Sequence, residues 1–451
     1  MNSEKYIAAI EIGSSRISGA VGRVHTDTGM LDVLAVETEH TTECVRHGMI
    51  QNVEEVGARV ARIVTRLERA LGSSPQYRIK SVYVGLGGRS LRNEKITLRR
   101  ALPEDTEITS EILTSLRDEA RSYPVDSSLE VVDAQPRLFV IDKTETRNPV
   151  GMFGNSLAAD YNLIVCRPIL RKHIHRVVRD KAGLNLAAMV VTPMAVADMV
   201  LSSEEKRLGC MLVDLGAETT TVSIYKADNL IYLAVLPMGS RNITSDITSL
   251  SLLEERAEEI KTTSGSAIQS ENPSTLNLSG IKLSDVANLV SARAEEIVAN
   301  IIQQISYAGI TDKELPGGIV MTGAGFNLNR MPELLKNQSG LPVRRASLPA
   351  DVNMEDAKAP TYETLQLVAI LRAGLAPQAP ECVEIPVRDE IPVTGEIPVY
   401  TETETERRGV DETVRPHRKP GKIFGGIGRL GRKITGIFAP SDDDDDDTEI
   451  E

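Results

Sequence analysis

Two stretches of this chain, about two hundred residues apart, share one layout, and any fold must accommodate both. In GCMLVDLGAETTTVSIY, Gly209 to Tyr225, the apolar run Met211 to Leu215 breaks at Gly216. It resumes with β-branched and aromatic residues from Thr221 to Tyr225, which predicts strand, tight turn, strand. Asp214 stands at the end of the first strand, Gly216 lets the backbone turn closely, Ala217 and Glu218 fill the tip, and Thr219 and Thr220 add hydroxyls. Such a tip suits phosphate oxygens and a hydrated Mg²⁺, although an ordinary hairpin turn uses the same residues. At the start of the chain, YIAAIEI (Tyr6 to Ile12) ends a strand that carries Glu11, then Gly13, Ser14, Ser15 and Arg16 turn, and Ile17 to Val21 resumes. Two acid-glycine-hydroxyl hairpins could grip one polyphosphate from both sides. A third glycine turn, with Gly323, Ala324 and Gly325, follows another apolar strand in GIVMTGAGF, Gly318 to Phe326.

A chain of 451 residues is long enough for two or more domains. With 3% aromatic residues and no Trp, its core must be aliphatic. The formal charge of −13 argues against a general nucleic-acid binder, though part of it is the run Asp442 to Asp447. Cys44, Cys166, Cys210 and Cys382 show neither metal-ligand spacing nor a C-x-x-C pair, which reads as a reduced, cytoplasmic protein. No apolar run is long enough to span a bilayer, and no signal segment precedes the first strand, so a membrane would be met from its cytoplasmic face.

Between the hairpins, Leu31 to His40 reads as a strand and Val53 to Leu71 as an amphipathic helix, with Val56, Val60, Ile63, Val64 and Leu67 on one face. Ser81 to Leu86 is a further strand. From Gly87 to about Arg167 the character changes: a helix opened by Thr109, then strands at Val131 to Ile141 and Asn162 to Cys166, predict an α/β insert of its own. Arg171 to Ala182 reads as a basic helix whose His173 and His175 lie in solvent. Leu283 to Tyr307 is a long amphipathic helix, and Glu258 and Lys261 face the same way on a helix before it.

Three glycine turns in this order resemble the two phosphate loops and the adenosine loop of the actin-like ATPase superfamily. Within it, VYVGLGGRSLR (Val82 to Arg92), NPVGMFGNSLAADYNLI (Asn148 to Ile164), AEEIKTTSGSA (Ala257 to Ala267) and RHGMIQNVEEV (Arg46 to Val56) resemble the FtsA family of bacterial division proteins, over roughly Lys5 to Leu375. The resemblance implies an α/β, ribonuclease H-like duplicated, two-domain actin-like fold with an inserted subdomain 1C. It divides the chain into subdomain 1A (1–86 and 168–205), the 1C insert (87–167), subdomain 2A (206–241 and 311–375) and subdomain 2B (242–310). In that fold the two halves close on ATP and Mg²⁺. Backbone amides at Gly13, Ser14 and Ser15 and from Gly216 to Thr220 cradle the phosphates, Glu11 and Asp214 hold waters of the metal, Gly323, Ala324 and Gly325 admit the adenosine, and Glu258 and Lys261 line its pocket. The family also implies polymerisation, FtsZ as partner through subdomain 2B, and other division proteins through 1C.

The tail is built differently. Residues 376–421 include the repeat EIPVRD, EIPVTG, EIPVYT, whose prolines predict a flexible linker. Wound as a helix, 422–439 (KIFGGIGRLGRKITGIFA) gathers Ile423, Phe424, Ile427, Leu430, Ile434, Ile437 and Phe438 on one face, with Lys422, Arg429, Arg432 and Lys433 on or beside the other. Its five glycines should fray it in water, so it would fold on contact with membrane lipids. Residues 440–451 form an acidic end.

Four positions depart from the family pattern: Glu11 for Asp, Arg16 for Lys, Ala324 within a triple glycine, and Glu218 for a glycine. With no Gln or His near Thr192 to Ala195 to position water, the expectation is at most a slow ATPase. The function that follows is a polymer on the cytoplasmic face of the cell membrane, at the division septum, tethering FtsZ. A pilus-assembly-type relative and a sugar or acetate kinase of the same superfamily are the alternatives. The kinase would require a catalytic base and a substrate pocket between the domains.

Overall fold

A computed structural model describes residues 4–41, 43–72, 77–269, 277–278, 281–355 and 361–384. The expected linker beyond Glu384, the segment 422–439 and the acidic end lie outside these residues. The first hairpin heads a six-stranded sheet in the order Asn185–Val191, Ser81–Leu86, Glu4–Ile12, Arg16–His25, Leu31–His40, Val352–Met354. The second heads a five-stranded sheet in the order Asn229–Leu236, Thr220–Lys226, Cys210–Leu215, Ile319–Thr322, Val343–Arg345. In each, three strands run as an antiparallel meander and two more add in parallel beside the first of them; the sixth strand of the first sheet, Val352–Met354, adds in parallel at its other edge and has no counterpart in the second. The same order and directions twice over make the fold a duplication.

Helices cover these sheets, so the leading strands are apolar without alternation: Ile7 through Ile10 and Cys210 through Val213 are all buried. The helix Val53–Leu71 buries the five residues its spacing predicts and is capped by Asn52, whose Oδ1 accepts from Glu55 N at 3.1 Å. Leu283–Tyr307 lays Val286, Val290, Ala294, Ile297, Ile301 and Ile305 against the core of the second half.

The insert has a separate core around Leu116, Phe139, Leu157, Tyr161 and Leu163. Its four strands run antiparallel in the order Thr144–Thr146, Glu130–Ile141, Phe153–Cys166, Arg92–Glu107, with the helix Ser110–Arg121 capped by Thr109 as expected. Arg92–Glu107 has no counterpart in the sequence reading, because it is an edge strand rich in charge along which Leu98 alone is buried. An asparagine ladder ties the insert to the second half: Asn93 Nδ2 donates to Asn162 Oδ1 (3.1 Å), Leu233 N donates to Asn93 Oδ1 (2.7 Å), and Asn162 Nδ2 donates to Leu230 O.

Some expectations need correction. The closing helix Thr361–Arg372, placed with 311–375 in subdomain 2A, packs instead on the first half: Leu365, Val368, Ile370 and Leu371 belong to the core of the first sheet, and Val352–Met354 pairs with Leu31–Val33. Residues up to Glu384, assigned to the linker, also dock there. Cys382 N donates to Tyr6 O, Cys382 is buried, and Val383–Glu384 pairs with Arg78–Ile79. The basic helix is Pro168–His175 followed by a wider turn, Arg176–Lys181; His173 is half-buried, its Nδ1 2.8 Å from Ile50 O. None of the four cysteines is in a disulfide and all are buried; burial pushes Cys166 up to about 11 and Cys210 up to about 12, so neither is a thiolate at neutral pH. Among the described residues no helix is long and apolar enough to cross a membrane.

Candidate functional site

The two hairpin tips are built alike. Gly13 N donates to Arg16 O at 2.9 Å, and Gly216 N donates to Thr219 O at the same distance. Ile12 pairs with Ile17 and Leu215 with Thr220, so each acid stands two residues before its glycine at the same depth in its sheet. A Cβ on Gly13 would sit 3.0 Å from Arg16 O, and one on Gly216 would sit 3.1 Å from Thr219 O. Because the amides of Gly13 and Gly216 are committed to closing the turns, they are removed from the expected phosphate cradle. Those of Ser14, Ser15, Ala217, Glu218 and Thr219 remain candidates.

Glu11 and Asp214 come from opposite halves and share one electrostatic field. Burial pushes Glu11 up to about 7, with Arg16 pulling it down and the Asp214 charge adding to the rise. Burial likewise pushes Asp214 up to about 6, opposed by a hydrogen bond from Gln366 Nε2 to Oδ2 and by the Arg16 charge. Asp214 Oδ1 is buried and has no partner. Opposed carboxylates with an orphaned oxygen fit a divalent cation, whose charge would relieve both. Among the described residues no group of three or more His, Cys, Asp or Glu could hold a metal ion by itself.

The third glycine turn lies against the second hairpin. Gly323 has φ +91°, and a Cβ there would lie 2.4 Å from Leu215 O and 2.5 Å from Asp214 Oδ1. A Cβ on Gly325 would meet Leu215 Cγ at 2.4 Å. Ala324, by contrast, is exposed where the turn Ala324–Asn327 begins, so a side chain costs nothing there. Arg345, which the sequence reading did not single out, braces this turn by donating to Phe326 O (2.7 Å) and Asn327 Oδ1 (3.1 Å).

Glu218 is tied through its carboxylate to residues other than Glu11 and Asp214. Its Oε2 accepts from His47 N at 2.7 Å, its carbonyl lies 3.0 Å from His47 Nδ1, and its Oε1 pairs with Arg241. The next amide, Gly48 N, donates to Ser14 Oγ at 2.9 Å, so the turn at His47 and Gly48 touches both hairpin tips. Arg241 itself begins the helix Ser240–Thr248, whose Ser240 N and Arg241 N donate to Gly216 O and Ala217 O. Glu218→Ala leaves His47 N and Arg241 without this acceptor, and a loss of about 1–3 kcal/mol is expected. A thermal unfolding midpoint equal to that of the parent would show that the tie contributes nothing.

Glu258 and Lys261 form one cluster. Lys261, 7% exposed, donates to Glu258 Oε2 (2.6 Å), Thr244 Oγ1 (3.0 Å) and Ser240 O (3.3 Å). A cavity of about 520 Å³ opens elsewhere, between the insert at Val132 and Asp133, Met189 to Val191, and Ala369 and Arg372 of the closing helix. Its lining includes Ala195 but none of the hairpin residues, the Gly323 to Gly325 turn or the Glu258–Lys261 cluster.

A duplicated α/β fold with two matching hairpins and an inserted sheet defines a protein of the actin-like fold. The description "Cell division protein FtsA" matches residues 211–366, and "SHS2 domain inserted in FTSA" matches 88–165. The cell division protein FtsA of Porphyromonas gingivalis is 34% identical over 346 residues, covering 74% of this chain and 71% of the relative. That of Pseudomonas aeruginosa is 28% identical over 396 residues, covering 84% and 91%. The chain belongs to the FtsA family of cell division proteins. A solved structure of the PilM-PilN type IV pilus biogenesis complex shares the fold, with a TM-score of 0.58 at 16% identity over 82% of this chain and 97% of that one.

Proposed function

We propose that this chain binds ATP with Mg²⁺ between its halves, polymerises on the cytoplasmic face of the cell membrane at the division site, and tethers FtsZ there. The observation that carries the nucleotide reading is the convergence of two equivalent hairpins, with Glu11 and Asp214 in one field under Arg16. The amides of Ser14 and Ser15 and of Ala217 to Thr219 hold the phosphates as fixed dipoles, and Arg16 adds positive charge. Glu11 and Asp214 hold the cation through water, and the cation neutralises phosphate charge. The turn at Gly323 to Gly325 lets the adenosine approach the backbone, and the Glu258–Lys261 cluster stands at its pocket.

Hydrolysis is slow, because no residue at Thr192 to Ala195 positions water, and nucleotide acts chiefly by biasing conformation and assembly. Subdomain 2B, 242–310, contacts FtsZ, the insert contacts other division proteins, and the segment 422–439 holds the complex on the lipid. Titration of labelled ATP into the whole chain tests the cleft: saturable binding, strengthened by Mg²⁺, is expected, with turnover far slower than release. Absence of saturable binding with and without Mg²⁺ defeats the nucleotide reading.

A further inference from the structure

We propose that Thr322 and Gln366 complete, together with Asp214, a pocket for the water shell of a divalent cation at the floor of the cleft; the inference rests on the nucleotide reading above. Asp214 and Thr322 are register partners on neighbouring parallel strands, so their side chains leave the sheet on the same face. Thr322 is 4% exposed, and its Oγ1, like Asp214 Oδ1, is buried with no hydrogen-bond partner. Buried polar atoms left without a partner are unfavourable unless something fills the site. A carboxylate oxygen can only accept, whereas a hydroxyl can donate or accept. Water is the small ligand that satisfies both at once.

Gln366 reaches this point from the closing helix of the first half and occupies Asp214 Oδ2. Its amide thereby fixes the plane of the carboxylate and leaves Oδ1 to the water. Backbone closes the other side, since at Gly323 even a Cβ would come within 2.5 Å of Oδ1. The water is assigned to a cation because it lies on the carboxylate of one hairpin, whose counterpart Glu11 holds the same place on the hairpin of the other half, and metal-bound water donates more strongly than bulk water. Thr322 and Gln366 are therefore positioning residues: they act through Asp214 and a water and touch no nucleotide.

The experiment compares the affinity of the whole chain for labelled ATP with and without Mg²⁺. Thr322→Val and Gln366→Leu are expected to keep the Mg²⁺-free affinity, which reports a folded cleft, and to lose about 10–100-fold of the gain that Mg²⁺ brings. Thr322→Ser, which retains the hydroxyl, should keep that gain. If the Val and Leu variants gain as much from Mg²⁺ as the parent does, the proposal is overturned and the two oxygens hold an ordinary structural water. A parent that binds no nucleotide under either condition overturns the cleft reading and this assignment with it. A parent that binds equally with and without Mg²⁺ overturns this assignment alone.

Discussion

A chain ending at Gly421 is expected to stay in solution when vesicles rich in anionic lipid are pelleted, while the whole chain goes down with them. The shortened chain loses Ile423, Phe424, Ile427, Leu430, Ile434, Ile437 and Phe438 together with Lys422, Arg429, Arg432 and Lys433. Each basic residue near an anionic surface contributes about 1 kcal/mol, so the cations alone supply about 4 kcal/mol, close to a thousandfold in partition. The apolar side chains add burial in the acyl region. Neutral vesicles or high salt should weaken the binding by removing the first contribution, and the run Asp442 to Asp447 works against it. FtsZ added to the same mixture should pellet with vesicles only when the whole chain is present. Equal pelleting of the two chains would remove the membrane role from this segment.

Gly323→Ala is expected to damage the site where the third turn meets Asp214. The added Cβ would lie 2.4 Å from Leu215 O and 2.5 Å from Asp214 Oδ1, and the backbone at φ +91° disfavours any side chain. Left-handed backbone costs about 1–2 kcal/mol and forced repacking about 1–3 kcal/mol, so a loss of about 3 kcal/mol is expected. Leu215 and Asp214 can yield only by moving the second hairpin, and nucleotide affinity should fall with stability. Ala324→Gly is the control, since Ala324 is exposed and its side chain meets no such barrier. Thermal unfolding of both variants beside the parent checks this; a Gly323→Ala midpoint matching the parent's would show that the turn can shift at little cost.

Much of this architecture was readable in one dimension. The strands around Glu11 and Asp214, the helices Val53–Leu71 and Leu283–Tyr307 and the Thr109 cap appeared where pattern placed them, because period, cap and turn chemistry act over a few residues. Arg92–Glu107 escaped notice because an edge strand is made by its neighbours' hydrogen bonds rather than by its own apolar content. The Glu218 side chain could not be aimed from sequence, since its acceptors' partners, His47 and Arg241, lie on other elements. Gln366 was one of several polar residues in the helix Thr361–Arg372, and Thr322 merely the last residue of a strand.

The chain's order of residues therefore determined the two hairpins with their acids and glycines, products of local backbone and side-chain preference. Tertiary packing decided which half the closing helix joined, where Glu218 turned, and that Thr322 and Gln366 stand beside Asp214. Those outcomes depend on contacts between residues far apart in the chain, whose energies exist only once both sheets are assembled.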